Sequence, residues 1–431
     1  MTLSFRTIER PNRRTAERSL LLNHRTTELS NSRTLFPVSA EARLANPVSL
    51  AAFFFWYYAA VGFSEPYLPP FWQTLGFSPA QLGALNAILP GISVLTPFLW
   101  TAYADLARAG TGILRFNIWV CAAAALLLPL LDAPALVATA LVVYATFRTP
   151  LVPLANSMVL AAVGGRPQAF AAVRMWGTVG YIATAWGGGI LADRLGLRPV
   201  ILGVGLSLLV SGAIAWAAVR QQRMDLPPAR LADILAVLRD RRLLTLLAAT
   251  ALAWMSYGPY TTFFTIQLGA LGYSRTFAGA AWAVAASSEL AVMACWARLW
   301  PLLSARRWLG LAIAACALRW LLLIPAREPV SLLLVQLTNA LTFGVFYLSA
   351  VELVDALVPR TLRATAQGVF SSVTFGVGSF IGNLLGGLLY PVLGMTWLYA
   401  ASAGVAAAGL VVHWLGGRIG APAPPAAGEA P

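Results

Sequence analysis

The chain has 431 residues, of which 59% are apolar and only 11% charged, and its mean hydropathy is +0.72. A soluble globular chain carries roughly 25% charged residues, and so few polar groups cannot cover so much apolar surface. A water-soluble protein and an intrinsically disordered one are both excluded, which leaves an integral membrane protein. The net charge is +14, from 30 basic residues, all of them arginine, against 16 acidic ones. Nucleic-acid binding would need that charge gathered on one exposed face. Here it lies between apolar runs and reads as a topology signal, so no nucleic-acid partner is expected. Cys121, Cys295 and Cys316 sit in apolar runs without CxxC spacing, so the chain is expected to hold no disulfide frame, metal or cofactor.

Residues 1–47 are polar, carry eight arginines and have no early apolar stretch of signal-peptide length. They are predicted to form a disordered cytoplasmic tail. A bilayer core of about 30 Å calls for about 20 apolar residues per helix. On that rule the chain reads as twelve spans, at 48–70, 80–102, 113–131, 134–160, 168–192, 198–219, 243–268, 276–300, 308–325, 329–354, 363–389 and 395–415. A spanning backbone satisfies its own hydrogen bonds, so the predicted class is all-α. With the N-terminus inside, inner segments hold 24 arginines and outer ones four, which places both termini in the cytoplasm; the expected location is the cytoplasmic (inner) membrane. The polar stretch 220–242, with Pro227-Pro228, divides the spans into a half over 48–219 and a half over 243–415, and a short tail follows over 416–431.

The halves echo one another. Leu75-Gly76-Phe77-Ser78 followed by Gly83 recurs as Leu271-Gly272-Tyr273-Ser274 followed by Gly279, and Trp176-Gly177 with Gly187-Gly188 recurs as Phe375-Gly376 with Gly386-Gly387. Two echoes at nearly one offset imply two six-helix units of common design.

Charges within spans are costly and ask for an explanation. Arg148, beside Pro150 and Pro153, stands where prolines bend span 4, and an arginine facing a cavity there would contact an anionic substrate group. The alternative is an arginine reaching back to the interface. Glu65 lies near the outer end of span 1. Trp254, Tyr257, Tyr260 and Phe264 keep one face of span 7, interrupted at Gly258-Pro259, and would line a cavity. Glu289 in span 8 and Arg319 in span 9 both fall near mid-depth and are expected to pair, either as a proton-coupling site or as a static lock between the two spans. Glu352 and Asp355 close span 10 near Arg360 and Arg363. Together with Asp105 and Arg174 they read as gating ion pairs at the inner face.

Six plus six helices, both termini inside and a basic central loop resemble the major facilitator superfamily over residues 48–415. Pro66-Tyr67-Leu68-Pro69, Arg174-Met175-Trp176-Gly177, Glu289, Arg319-Trp320, Thr342-Phe343-Gly344 and Ala364-Thr365-Ala366-Gln367-Gly368 followed by Phe375-Gly376 resemble its phenylpropionate-permease-like branch. The superfamily's loop 2–3 signature survives mainly as Asp105. Asn339 stands where that branch tends to have histidine; it is expected to contact substrate and cannot carry a proton. Span 5 reads Trp186-Gly187-Gly188-Gly189 in place of the superfamily's antiporter pattern, which favours symport.

The resemblance implies a monomeric secondary transporter of a small organic solute, with carboxylates as the expected class, working by alternating access. Proton symport is expected through Glu289, by elimination: arginine keeps its proton, the other acids lie towards helix ends, and His24 and His413 are not at mid-depth. An uncoupled facilitator of the same fold is the main alternative. A membrane-embedded transferase is disfavoured, because no HxxxxD, HExxH, Walker or GxSxG arrangement occurs.

Overall fold

The structure is a computed structural model, and the residues it describes are 47–96, 99–100, 103, 110–163, 166–218, 235, 238–359 and 362–418. Residues 1–46 and 419–431 of the predicted tails, most of the central loop, Asp105 and Arg360 lie outside the described residues.

Among the described residues every regular element is helical. The first half consists of α1 (Pro47–Ser64), α2 (Leu68–Thr74), α3 (Pro79–Ser93), α4 (Gly110–Leu127), α5 (Pro134–Arg148), α6 (Leu151–Ala162), α7 (Pro167–Leu195) and α8 (Leu197–Ala218). The second consists of α9 (Arg241–Met255), α10 (Gly258–Ala270), α11 (Arg275–Leu299), α12 (Ala305–Leu323), α13 (Pro329–Leu337), α14 (Phe346–Leu357), α15 (Arg363–Ser371) and α16 (Ser379–Arg418). Each of the twelve predicted spans carries helix. Seven described stretches are long and apolar enough to cross a membrane by length and composition, and the last of these joins spans 11 and 12 across Gly394.

The breaks inside spans have local causes. Proline lacks an N–H and collides with the preceding turn. Pro150 separates α5 from α6, and Gly258-Pro259 separates α9 from α10. Two further interruptions are π-helical: Ala340–Val345 between α13 and α14, and Ser372–Gly378 between α15 and α16.

The repeats seen in the sequence are the joints of the bundle. Gly76 and Gly272 have φ of 83° and 85°, a region that side chains with a Cβ rarely enter. Each is followed by a serine N-cap: Ser78 accepts from the Gln81 backbone, and Ser274 accepts from that of Phe277. A third matched pair, Gly196 and Gly394, closes the turns after α7 and within α16. The second glycine of each echo marks a crossing between the halves. Helix α7 packs against α1 and α11, while α16 packs against α9 and α3. A Cβ on Gly83 would come within 2.6 Å of the Gly387 Cα, and one on Gly279 would strike the Ala185 carbonyl. This is the small-residue mode of membrane helix packing.

Candidate functional site

At the junction of the halves lies a cavity of about 930 Å³. Among the described residues its charged lining groups are three: Glu65 from the end of α1, Arg148 from the end of α5, and Glu289 from α11. Neutral polar side chains add hydrogen-bonding capacity, among them Asn86, Thr149, Thr261, Asn339 and Asn383. Tyr57, Tyr58, Trp254, Tyr257, Tyr260 and Trp282 supply aromatic walls.

Each charged group is held differently. Tyr181 donates to Glu65 Oε2 at 3.0 Å, and the rest of the Glu65 side chain is open to the cavity. The Arg148 guanidinium lies over Tyr144 and Tyr57, 5.7 and 6.0 Å from their ring centroids, and its charge acts on Glu65. Arg148 sits at the α5–α6 break, the position expected from Pro150 and Pro153, and it faces the cavity. Glu289 is half-buried on α11, and its Cγ lies beside Gly344 in the first π-helical segment.

The pair expected between Glu289 and Arg319 is not formed. No ion pair joins them, the one between described residues being that of Arg198 with Asp132 at 3.3 Å. Arg319 is fully enclosed, at 0% exposure, and donates to Asn339 Oδ1 at 2.7 Å, Gln336 Oε1 at 2.8 Å and Thr342 Oγ1 at 3.0 Å. Its guanidinium also lies over Tyr260, 4.7 Å from the ring centroid. Among the described residues, neutral acceptors on α13 and around the following π segment are nearer to it than any carboxylate, so α12 is tied to that segment and not to α11. Arg319 reaches the cavity through Asn339. The Oδ1 of Asn339 is taken by Arg319, while its Nδ2 donates to the Ala285 carbonyl at 3.3 Å.

Trp254 and Tyr257 stack with ring centroids 4.6 Å apart, and both line the cavity with Tyr260. Phe264 is fully buried and packs on Tyr260 and Trp282 instead. The expected gating groups form no ion pairs among the described residues. Arg174 donates to the Tyr58 hydroxyl at 3.0 Å and lies over Phe54. Asp355 accepts from Gln367 at 2.9 Å, Glu352 is exposed, and Arg363 is exposed at the start of α15.

Sequence reasoning missed the two π segments, although each contains the same triplet, Thr342-Phe343-Gly344 and Thr374-Phe375-Gly376. Both phenylalanines pack on Trp254, at centroid distances of 5.4 and 4.7 Å, and both line the cavity. A π segment re-aims side chains within a helix and occurs often at functional sites. The repeated triplet was the available signal.

An all-helical membrane bundle of two matched halves, with a mixed aromatic and charged cavity where they meet, is the architecture of a solute transporter. The chain belongs to the MFS_1 like family, whose model matches residues 48–401, and it is thus a membrane transporter of the major facilitator type. It is 27% identical over 342 residues to a maltose permease of Geobacillus stearothermophilus, covering 78% of this chain and 86% of the permease. It is 25% identical over 366 residues to a probable 3-phenylpropionic acid transporter of Escherichia coli, covering 81% and 93%. Among solved structures, the nucleoside transporter NupG matches with a TM-score of 0.78 at 18% identity, covering 86% of this chain and 99% of that one. At that identity the likeness speaks for the fold alone.

Proposed function

We propose that the protein carries a small ring-bearing solute across the inner membrane by alternating access of its two halves, coupled to protons at Glu289. The observation that carries this reading is the composition of the central cavity, where, among the described residues, carboxylates from both halves, Glu65 and Glu289, share a space with one guanidinium, Arg148. A volume of about 930 Å³ lies within the roughly 300–1,000 Å³ of small-molecule sites. Stacked Trp254 and Tyr257 suit the face of a ring, while Asn86, Asn339, Asn383 and the cavity threonines suit hydroxyl and carbonyl groups. Among the described residues Glu289 has no guanidinium partner, which suits it to exchange a proton with the cavity, and Arg319 acts by orienting Asn339.

A carboxylate substrate has one specific support, the cavity-facing Arg148, since guanidinium meets carboxylate in a bidentate fork. The relatives named above are transporters of a disaccharide and of an aromatic acid, and both solutes fit the proposed class.

Glu289→Gln keeps size and hydrogen bonding but removes titration. In proteoliposomes with an imposed proton gradient, it is expected to abolish accumulation of maltose, a nucleoside or phenylpropionate, whichever the wild type concentrates. Counterflow, which needs only exchange between the two faces, is expected to survive. Retained uphill accumulation would move the coupling site to Glu65.

A further inference from the structure

One wall of the central cavity is a cluster of neutral polar groups that belongs to both halves. Asn86 on α3 comes from the first half, while Thr261 and Thr262 on α10 and Asn383 on α16 come from the second. Asn86, Thr261 and Asn383 line the cavity, and Thr262 is buried beside them. One turn further along the same two helices, Gly83 and Gly387 stand outside the cavity lining and meet backbone to backbone. A Cβ on Gly387 would come within 2.7 Å of the Gly83 Cα. The polar cluster therefore stands between the cavity and a tight crossing of the halves.

The bonds within one half differ from those between the halves. Within the second half, Thr262 donates to Asn383 Oδ1 at 3.0 Å, and Thr261 reaches both that oxygen at 2.9 Å and the Gly258 carbonyl at 3.0 Å. Across the halves, Asn86 Nδ2 lies 3.0 Å from Thr262 Oγ1 and 3.3 Å from Asn383 Oδ1, and Asn383 Nδ2 donates to the Asn86 carbonyl at 3.3 Å. Three donors thus converge on an amide oxygen with two lone pairs, and the one from the other half is the longest. Both direct amide contacts between the halves exceed the usual range of about 2.7–3.2 Å. The Asn86 side-chain oxygen accepts from no group among the described residues. Long neutral bonds of this kind are exchanged for bonds to another polar group at little net cost.

We propose that Asn86 and Asn383 are the residues through which an occupied cavity releases this crossing: a hydroxyl or carbonyl group of the solute takes over the hydrogen bonds that the two amides make to each other. This rests on the alternating-access reading above and adds to it a place where a neutral polar group of the solute is read. A solute shifts the two halves only by binding the released arrangement better than the closed one. Two amides that face the solute and are also engaged with each other supply that difference, because only release frees both for the solute.

The test is a distance measurement in the full chain between spin labels at the exposed Gln73 and Val392, one on each half. Quenching of tryptophan fluorescence reports solute binding independently, since Trp254 and Trp282 line the cavity. Without solute, wild type is expected to hold one short distance. Asn86→Ala and Asn383→Ala, one in each half, are each expected to raise the share of a wider population roughly tenfold. Thr261→Val, which removes bonds inside the second half only, should keep the wild-type distance, and this separates loss of the contact between halves from general loosening. Maltose, uridine and 3-phenylpropionate are then added in turn. The probe that quenches wild type should also widen its distance, and should add little to the two alanine variants. A bound probe that leaves wild type at the short distance, or alanine variants that keep that distance without solute, would overturn the proposal. Quenching by none of the three would count against the solute class proposed above, and the solute-free comparison then decides the role of the two amides.

Discussion

Arg148 and Arg319 are both arginines within predicted spans, one in each half, and their surroundings differ in kind. Arg148 lies on aromatic rings at a proline break, faces the central cavity and acts on Glu65. Arg319 is fully enclosed and hydrogen-bonded to three neutral side chains on α13 and the π segment that follows it. The frame around them is matched, with glycine turns at Gly76 and Gly272 and crossings at Gly83 and Gly279. What differs is the use of the charge. One guanidinium faces the central cavity, and the other holds side chains of the cavity's wall. A buried charge therefore cannot be given a role from depth alone; the acceptors around it decide.

The sharpest way to break this comparison is to remove each arginine. Arg319→Met deletes the donor shared by Asn339, Gln336 and Thr342 and leaves their oxygens buried without it. Losing charged hydrogen bonds of this kind costs roughly 1.5–3 kcal/mol each. A fall in stability of about 3 kcal/mol is expected in thermal unfolding of the detergent-solubilised protein, together with loss of transport. Unchanged stability would mean that the network forms without the charge. Arg148→Gln should leave the unfolding transition close to wild type, because its guanidinium faces the cavity. Transport is expected to fall about a hundredfold if solute contacts that group, in line with truncation of one partner of a buried charge-assisted contact. Transport near the wild-type rate would make Arg148 a structural residue and remove the carboxylate reading.

Most of the frame was legible in the sequence, because membrane insertion enforces long apolar runs and the halves repeat their turn and crossing glycines. The breaks at Pro150 and Gly258-Pro259 could be read because proline and glycine act locally. The pairing of Glu289 with Arg319 could not be read. Similar depth on neighbouring spans says nothing about rotation around the helix axis, and Gln336 on α13, Asn339 before the π segment and Thr342 within it present neutral acceptors to Arg319. Among the described residues the gate groups meet neutral partners, Tyr58 for Arg174 and Gln367 for Asp355, while Asp105 and Arg360 lie outside those residues.

The smallest expected effect separates the two crossings between the halves. Where α16 meets α3 and α10 the polar contacts are neutral, with Asn86 donating to Thr262 Oγ1 at 3.0 Å and to Asn383 Oδ1 at 3.3 Å. Where α7 meets α11, the Asp193 carboxylate accepts the backbone N–H groups of Arg275 and Thr276, each at 2.8 Å, at the N-terminus of α11. Partial burial pushes the Asp193 carboxyl up, but hydrogen bonds from Thr276 and Arg275 and the Arg275 charge outweigh it and hold the group below the usual carboxylate range. A lowered value means the clamp is complete above the ordinary aspartate range, near pH 4, and is lost only as pH falls through the lowered value. Spin labels at the exposed Leu195 and Val392, one on each half, would follow the separation of the halves at this end. Wild type is expected to hold one distance from neutral pH down to about pH 5 and to open a minor, wider population only in stronger acid. Asp193→Asn keeps an acceptor but loses the charge, so it should show a modest wider population at every pH and no acid transition. Because the group is largely exposed, the shift should be small compared with the loss on removing Arg319. An acid transition that persists in Asp193→Asn would assign the pH response to another group and leave the two crossings equivalent.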